Sequence, residues 1–271
     1  MRVPPVVLSI AGYDPSSGAG VTADIKTAAA LGCYAVTCVT ALTVQSTQGV
    51  FGVQPLTPEL VRRTLEALAD DVEIAAVRLG MLGSGTVAAA VAEFLESTLL
   101  PNVVLDPVIR SSSGAALLDE SGLEILRTRL IPLCDVTTPN VDEAAELVAG
   151  EPVAANVAWD AVLPRIREMA GGLRDLGAKA VVVTGGHLQS ANDYLSYKAF
   201  GENREEIISG ERIDSGSTHG TGCAFATALA CRLALGDTLP EAARAAKEYV
   251  RKAVVAAYPL GKGIGPVNHF G

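Results

Sequence analysis

Val6-Val7-Leu8-Ser9-Ile10-Ala11-Gly12 is a continuous apolar run, the mark of a strand buried on both faces. Tyr13-Asp14-Pro15-Ser16-Ser17-Gly18-Ala19-Gly20 then turns away from it, and a helix from about Val21 to Leu31 closes at Gly32. Strand, loop and helix in that order open a parallel α/β sheet. In such sheets a small-residue loop at the carboxyl end of a strand is where ligands bind. Asp24, on the helix, either faces solvent or returns to the loop to bind a substrate amine.

The same unit recurs along the chain. Tyr34–Leu42 reads as a second strand, left by a polar loop over 44–49 in which Gln45 offers a donor and an acceptor to water or to the edge of a heterocycle. A short edge strand over 50–53 precedes a helix capped by Thr57-Pro58-Glu59. Strands follow at 75–81, 103–105, 135–138 and 180–187, alternating with helices over 83–97, 120–130, 140 onward and 159–176. Asp106 stands at the carboxyl end of its strand, where it can face Mg²⁺ or phosphate. The loop 109–118, with Ser111-Ser112-Ser113-Gly114, is long enough to fold over a substrate. Residues 193–200 and 205–213 suggest an antiparallel hairpin at the sheet edge, and helices over 222–235 and 240–258 precede a glycine-rich tail.

Near the end of the chain, Ser217-Thr218-His219-Gly220-Thr221-Gly222-Cys223 runs straight into a helix. Glycines there let consecutive N–H groups converge on one point, and the first helical turn adds unpaired N–H groups and the positive end of the dipole. That arrangement suits phosphate. Cys223 is either a packed small hydrophobe or a thiol whose pKa the helix terminus lowers, able to take a proton from an alcohol. Asn140 and Glu143 have the spacing of a capping box and equally that of metal or phosphate ligands. Gly83-Ser84-Gly85-Thr86-Val87-Ala88 imitates a dinucleotide fingerprint, but in mid-chain and with its acid, Asp106, followed by Pro107.

The chain has 271 residues, 49% of them hydrophobic, and a formal net charge of −9. These values fit one domain over 1–271 with a large core and argue against a nucleic-acid groove. Five widely spaced cysteines form neither a CxxC nor a Cys/His cluster, so a reducing, cytoplasmic setting is expected. The start, Met1-Arg2-Val3-Pro4-Pro5, shows neither a membrane span nor a cleavage pattern.

Residues 12–20, Thr40–Thr47, Leu79–Leu82, Asp106–Val108, Thr138–Glu143, Thr218–Cys223 and Gly261–Val267 together resemble the hydroxymethylpyrimidine / phosphomethylpyrimidine kinases of thiamine biosynthesis, in the family's order and over nearly the whole chain. The resemblance implies a ribokinase-like α/β fold. It would have three layers, α/β/α, with a mostly parallel central sheet and an antiparallel edge hairpin. It implies ATP and Mg²⁺ as cofactors, a small-molecule substrate phosphorylated twice, and a homodimer. It places substrate contacts on Gly12, Ala19, Asp24, Gln45, Met81 and Val108. Gly220, Thr221 and Gly222 become the anion hole and Cys223 the base. Asp106, Asn140, Thr184 and Gly186 would meet the nucleotide, with Asp106 and Glu143 at the metal. Two positions depart from the family pattern: Ser17 replaces a common glycine, and Thr184 stands where several members have lysine. Pyridoxal kinases of the same superfamily, or a non-catalytic pyrimidine-binding relative, are the alternatives.

Overall fold

The computed structural model describes residues 3–111 and 114–271; Ser112 and Ser113 of the long loop, and Met1 and Arg2, lie outside them. The strands are β1 (Val6–Tyr13), β2 (Tyr34–Ser46), β3 (Gly49–Pro55), β4 (Ile74–Leu79), β5 (Val103–Leu105), β6 (Val136–Thr137), β7 (Val181–Thr184), β8 (Asp193–Ala199) and β9 (Glu202–Ile208). Among the described residues they form one sheet in the order β3-β2-β1-β4-β5-β6-β7-β8-β9. From β2 to β7 neighbours run parallel, and both edges are antiparallel.

Alternation along the buried strands sorts the helices into two layers. Val7, Ala76, Val104 and Val182 point to one face, where they meet α1 (Gly20–Ala30), α8 (Thr221–Ala234) and α9 (Leu239–Val255). Leu8, Val77, Leu105 and Val183 point to the other. There they meet α2 (Pro58–Asp71), α3 (Gly85–Ser97), α6 (Val141–Leu147) and α7 (Trp159–Asp175). On α7 the residues Val162, Ile166, Met169 and Leu173 form the buried stripe that the spacing predicts. Each such side chain contributes about 1.5–3 kcal/mol by leaving water. The helix expected over 120–130 is instead α4 (Glu120–Ile125), a π-helical turn (Leu126–Leu130) and α5 (Ile131–Leu133).

Two edges differ from expectation. β2 does not stop at Leu42 but runs to Ser46, because β3 supplies antiparallel hydrogen bonds just where β1 turns off at Tyr13. The result is a two-stranded flap with Gln45 near its tip. At the other edge Phe200 and Gly201, both at positive φ, make a two-residue turn that pairs Ala199 with Glu202. The second strand therefore starts earlier than expected and ends at Ile208.

Candidate functional site

The carboxyl ends of the parallel strands make one rim, and most of the residues singled out from the sequence stand on it. The loop after β1 is organised by Asp14, whose carboxylate accepts hydrogen bonds from Ser16 N (2.8 Å), Ser16 Oγ (2.7 Å), Gly18 N (3.2 Å) and Ala19 N (2.9 Å). Burial pushes Asp14 up, but the bonds from His219 and Ser16 outweigh it and hold the carboxyl below its usual range. Ser17 has φ +61°, so the serine occupies a left-handed position that favours glycine.

On the flap side, Gln45 lies 3.2 Å from His219 Nε2 and 3.1 Å from Thr43 Oγ1. Gln45, Val50, His219, Gly263 and Ile264 are among the residues lining a cavity of about 130 Å³. Val50 also belongs to a small apolar cluster with Met81, Ala41, Leu117 and Val108, a floor for a flat ring. Gly12 presses on that floor: a Cβ there would come within 2.8 Å of the Met81 sulfur.

Across the rim, α8 is N-capped by Gly220, whose φ of +87° only glycine adopts without strain. A Cβ on Gly220 would overlap the Gly18 carbonyl oxygen, so the two loops are in main-chain contact. The missing Cβ of Gly222 points at Asp106 Oδ1, 4.0 Å away. Glu143 stands near enough to Asp106 to feel its charge. Glu143 and Asn140 form a capping box at α6: Asn140 N donates to Glu143 Oε2 and Glu143 N donates to Asn140 Oδ1, both at 2.9 Å. The capping half of their double reading is thus present. Burial, then Asp106, raises Glu143 well above the usual carboxylate range. Thr184 pairs with Asn140 in a parallel bridge, and Gly186 is exposed just beyond it.

Two expectations need correction. Asp24 does not reach the substrate side: it is 0% exposed and accepts hydrogen bonds from Ser9 Oγ (2.6 Å) and Thr227 Oγ1 (2.7 Å). Its third partner is Arg78, at 3.3 Å. Cys223 is not a low-pKa thiol. Burial pushes it up to about 12, and Asp106 and Asp24 add to the rise, against the pull of Arg78. Loss of water around the sulfur, more than either carboxylate, sets this direction.

Sequence reasoning passed over three residues. Arg78 is 0% exposed, donates to Asp106 Oδ2 at 2.5 Å, and occupies the space a Gly80 side chain would fill. Its charge in an otherwise apolar strand was the available signal, since a buried guanidinium needs acidic partners. Asp14 and His219 meet at 2.8 Å, and no spacing rule foretells that contact. The dinucleotide look-alike at Gly83–Ala88 is closed. Gly85 N donates to Asp119, and a Cβ on Gly85 would overlap Ser121 Oγ, so no pyrophosphate fits that turn. Among the described residues no helix is long and apolar enough to cross a membrane.

The model of the family described as phosphomethylpyrimidine kinase matches residues 14–268. The hydroxymethylpyrimidine/phosphomethylpyrimidine kinase of Streptomyces coelicolor is 44% identical over 266 residues, 98% of this chain and 94% of that protein. Among solved structures, a phosphomethylpyrimidine kinase from Clostridium difficile aligns with a TM-score of 0.77 at 33% identity, covering 92% of this chain and 99% of that one. An ADP complex of Bacillus subtilis pyridoxal kinase aligns at 0.85 and 32%, covering 98% and 97%. With its mostly parallel sheet, two helix layers and near full-length likeness, the chain belongs to the phosphomethylpyrimidine kinase family.

Proposed function

We propose that the chain transfers the γ-phosphoryl group of ATP to the hydroxymethyl oxygen of 4-amino-5-hydroxymethyl-2-methylpyrimidine, then to the resulting monophosphate, as a step of thiamine biosynthesis. One observation carries the reading. The first turn of α8, with Cys223, faces Asp106 and Glu143 at one end of a rim whose other end is Gln45 above an apolar floor. Such a site can hold a flat polar ring at one end and a phosphoryl group at the other.

In this reading the main chain of Gly220, Thr221 and Gly222 binds the oxygens of the transferring group, and Asn140, Thr184 and Gly186 line the nucleotide side. Gly12, Ala19, Met81 and Val108 shape the ring pocket, and Gln45 reads the ring edge. The thiolate form of Cys223 takes the hydroxymethyl proton as the oxygen attacks phosphorus and becomes the thiol. With its pKa pushed up to about 12 that form is scarce at neutral pH, and Arg78 is the nearby charge that favours it. In the second transfer the nucleophile is a phosphate oxygen that is already ionised, so no base is needed.

The oxygens of Asp106 and Glu143 suit a hard cation that takes its other ligands from water and phosphate, as Mg²⁺ does. Bound there, it would neutralise charge between the phosphates. Exposed Leu42, Val44 and Phe51 on the flap support a second copy of the chain as partner, testable by light scattering of Phe51→Glu. Five free cysteines support a reducing, cytoplasmic setting.

The test is phosphate transfer from ATP to the hydroxymethylpyrimidine, to its monophosphate and to pyridoxal, run side by side. Turnover of both pyrimidines above pyridoxal supports the proposal. Faster turnover of pyridoxal would move the assignment to the neighbouring kinases. Pyrimidine binding without turnover would make the chain a non-catalytic relative.

A further inference from the structure

Gln45 can present its amide either way round, and its neighbours decide which. His219 Nε2 lies 2.8 Å from Asp14 Oδ2. Asp14 is held ionised by its hydrogen bonds, so it only accepts, and Nε2 must carry a proton. The same Nε2 is 3.2 Å from Gln45 Nε2, while Thr43 Oγ1 donates to Gln45 Oε1 at 3.1 Å. The two ends of an amide have the same shape, and an NH₂ group facing that N–H sets donor against donor. Turning the amide over puts the Gln45 carbonyl oxygen toward His219, in a three-centre bond shared with Asp14. Its NH₂ group is then toward Thr43 Oγ1, whose own proton goes to Tyr13 O at 3.0 Å. Every donor then meets an acceptor.

We infer that His219, fixed by Asp14, is a positioning residue that sets the polarity of the Gln45 amide and so selects ligands whose ring edge pairs an acceptor with an adjacent donor. The inference rests on the substrate proposed above, a 4-aminopyrimidine, which has such an edge. With one N–H and one carbonyl lone pair used internally, Gln45 keeps one N–H for a ring nitrogen and one lone pair for an exocyclic amine. A ring with an oxo group in place of the amine, the form in which the adjacent ring nitrogen carries the proton, sets donor against donor and acceptor against acceptor. Sites that read polar groups in this way discriminate far more sharply than apolar pockets. The His219 ring is itself immobilised. A Cβ on Gly18 would overlap its Cδ2, and its main chain bonds on both sides to the tail, His219 N to Gly265 O (3.0 Å) and Val267 N to His219 O (3.2 Å).

The experiment uses the full chain in three forms: unmodified, His219→Leu and His219→Gln. Leucine keeps bulk but loses the donor, whereas glutamine can restore an N–H near the Nε2 position. His219→Leu is expected to raise KM for the hydroxymethylpyrimidine about tenfold or more and to narrow its preference over the 4-oxo analogue, with KM for ATP unchanged. His219→Gln should recover most of that preference. Equal loss with both ring types, or a rise in KM for ATP instead, would mean that His219 only holds the loop, and the inference fails. A second measurement needs no variant: ¹⁵N NMR of the imidazole in the unmodified chain should show a protonated Nε2. A bare Nε2 overturns the assignment even if every variant misfolds. Failure of the unmodified chain to phosphorylate any pyrimidine would remove the proposed substrate, and the selectivity with it, while the NMR result would still decide the amide's polarity.

Discussion

Two acid–base networks meet on the loop 217–223, and they are built in opposite ways. Beneath it, Arg78, Asp24 and Asp106 are sealed from water, so desolvation and Coulomb attraction set their behaviour. Above it, His219 and Gln45 line the cavity, with Asp14 buried behind them, and directed hydrogen bonds join the three. In the proposed function the lower network controls charge near the transferred phosphoryl group, and in the further inference the upper one controls which ligand edge is welcome.

The sharpest way to break this division is Cys223→Ala, which touches only the lower network. It should slow the first phosphorylation by ~10²–10⁴, the usual effect of removing a general base, and the second far less. Single-turnover assays of the two steps measure this, and equal losses would contradict the base role. Next is Arg78→Leu, which strands two buried carboxylates. A loss of ~3–5 kcal/mol is expected in chemical denaturation. A loss under 1 kcal/mol would show that water already reaches the cluster.

The third test probes the ground under the upper loop. His269 is 3% exposed and held by Thr27 Oγ1 at 3.1 Å; burial, then Lys26, lowers its pKa from 6.5 to about 4. The fold favours the neutral ring, so this contribution is fully present above pH 6.5 and is lost as pH falls toward 4. The loss amounts to about 3 kcal/mol from this residue alone. Denaturation curves at pH 7 and pH 4 should therefore differ less for His269→Gln than for the unmodified chain. An unchanged difference would place the acid sensitivity elsewhere. The smallest effect is Ser17→Gly. Relief of the left-handed serine, on the order of 1 kcal/mol, is partly offset by the freedom glycine has when unfolded. Thermal melting should show a gain below about 1 kcal/mol, and a loss would reveal that the Ser17 side chain helps to hold the loop.

The strand–loop–helix order was legible because its signals are local: apolar runs, glycine stops and the Thr57 cap can be read within a few residues. The flap was not, since Val44 and Gln45 look like loop until β3 is known to lie beside them. Gly220 and Gly222 announced through composition alone the turn into a helix that the structure has, with Gly220 at positive φ. The acidity of Cys223 could not be read because it depends first on burial and then on Arg78, Asp106 and Asp24, all brought near only by the closed sheet. Asp24 shows the same limit: its helix was evident, but not which face turned inward.

Gly18 and Gly220 touch main chain to main chain, and the Asp14–His219 bond beside them spans 205 positions. Contacts of such separation close late in folding, because so much chain must first be ordered between them. During synthesis the first loop therefore has no counterpart until the chain has grown past Gly220, at the start of the next-to-last helix. A truncated or half-made copy can own a finished first loop and still be unable to turn over nucleotide.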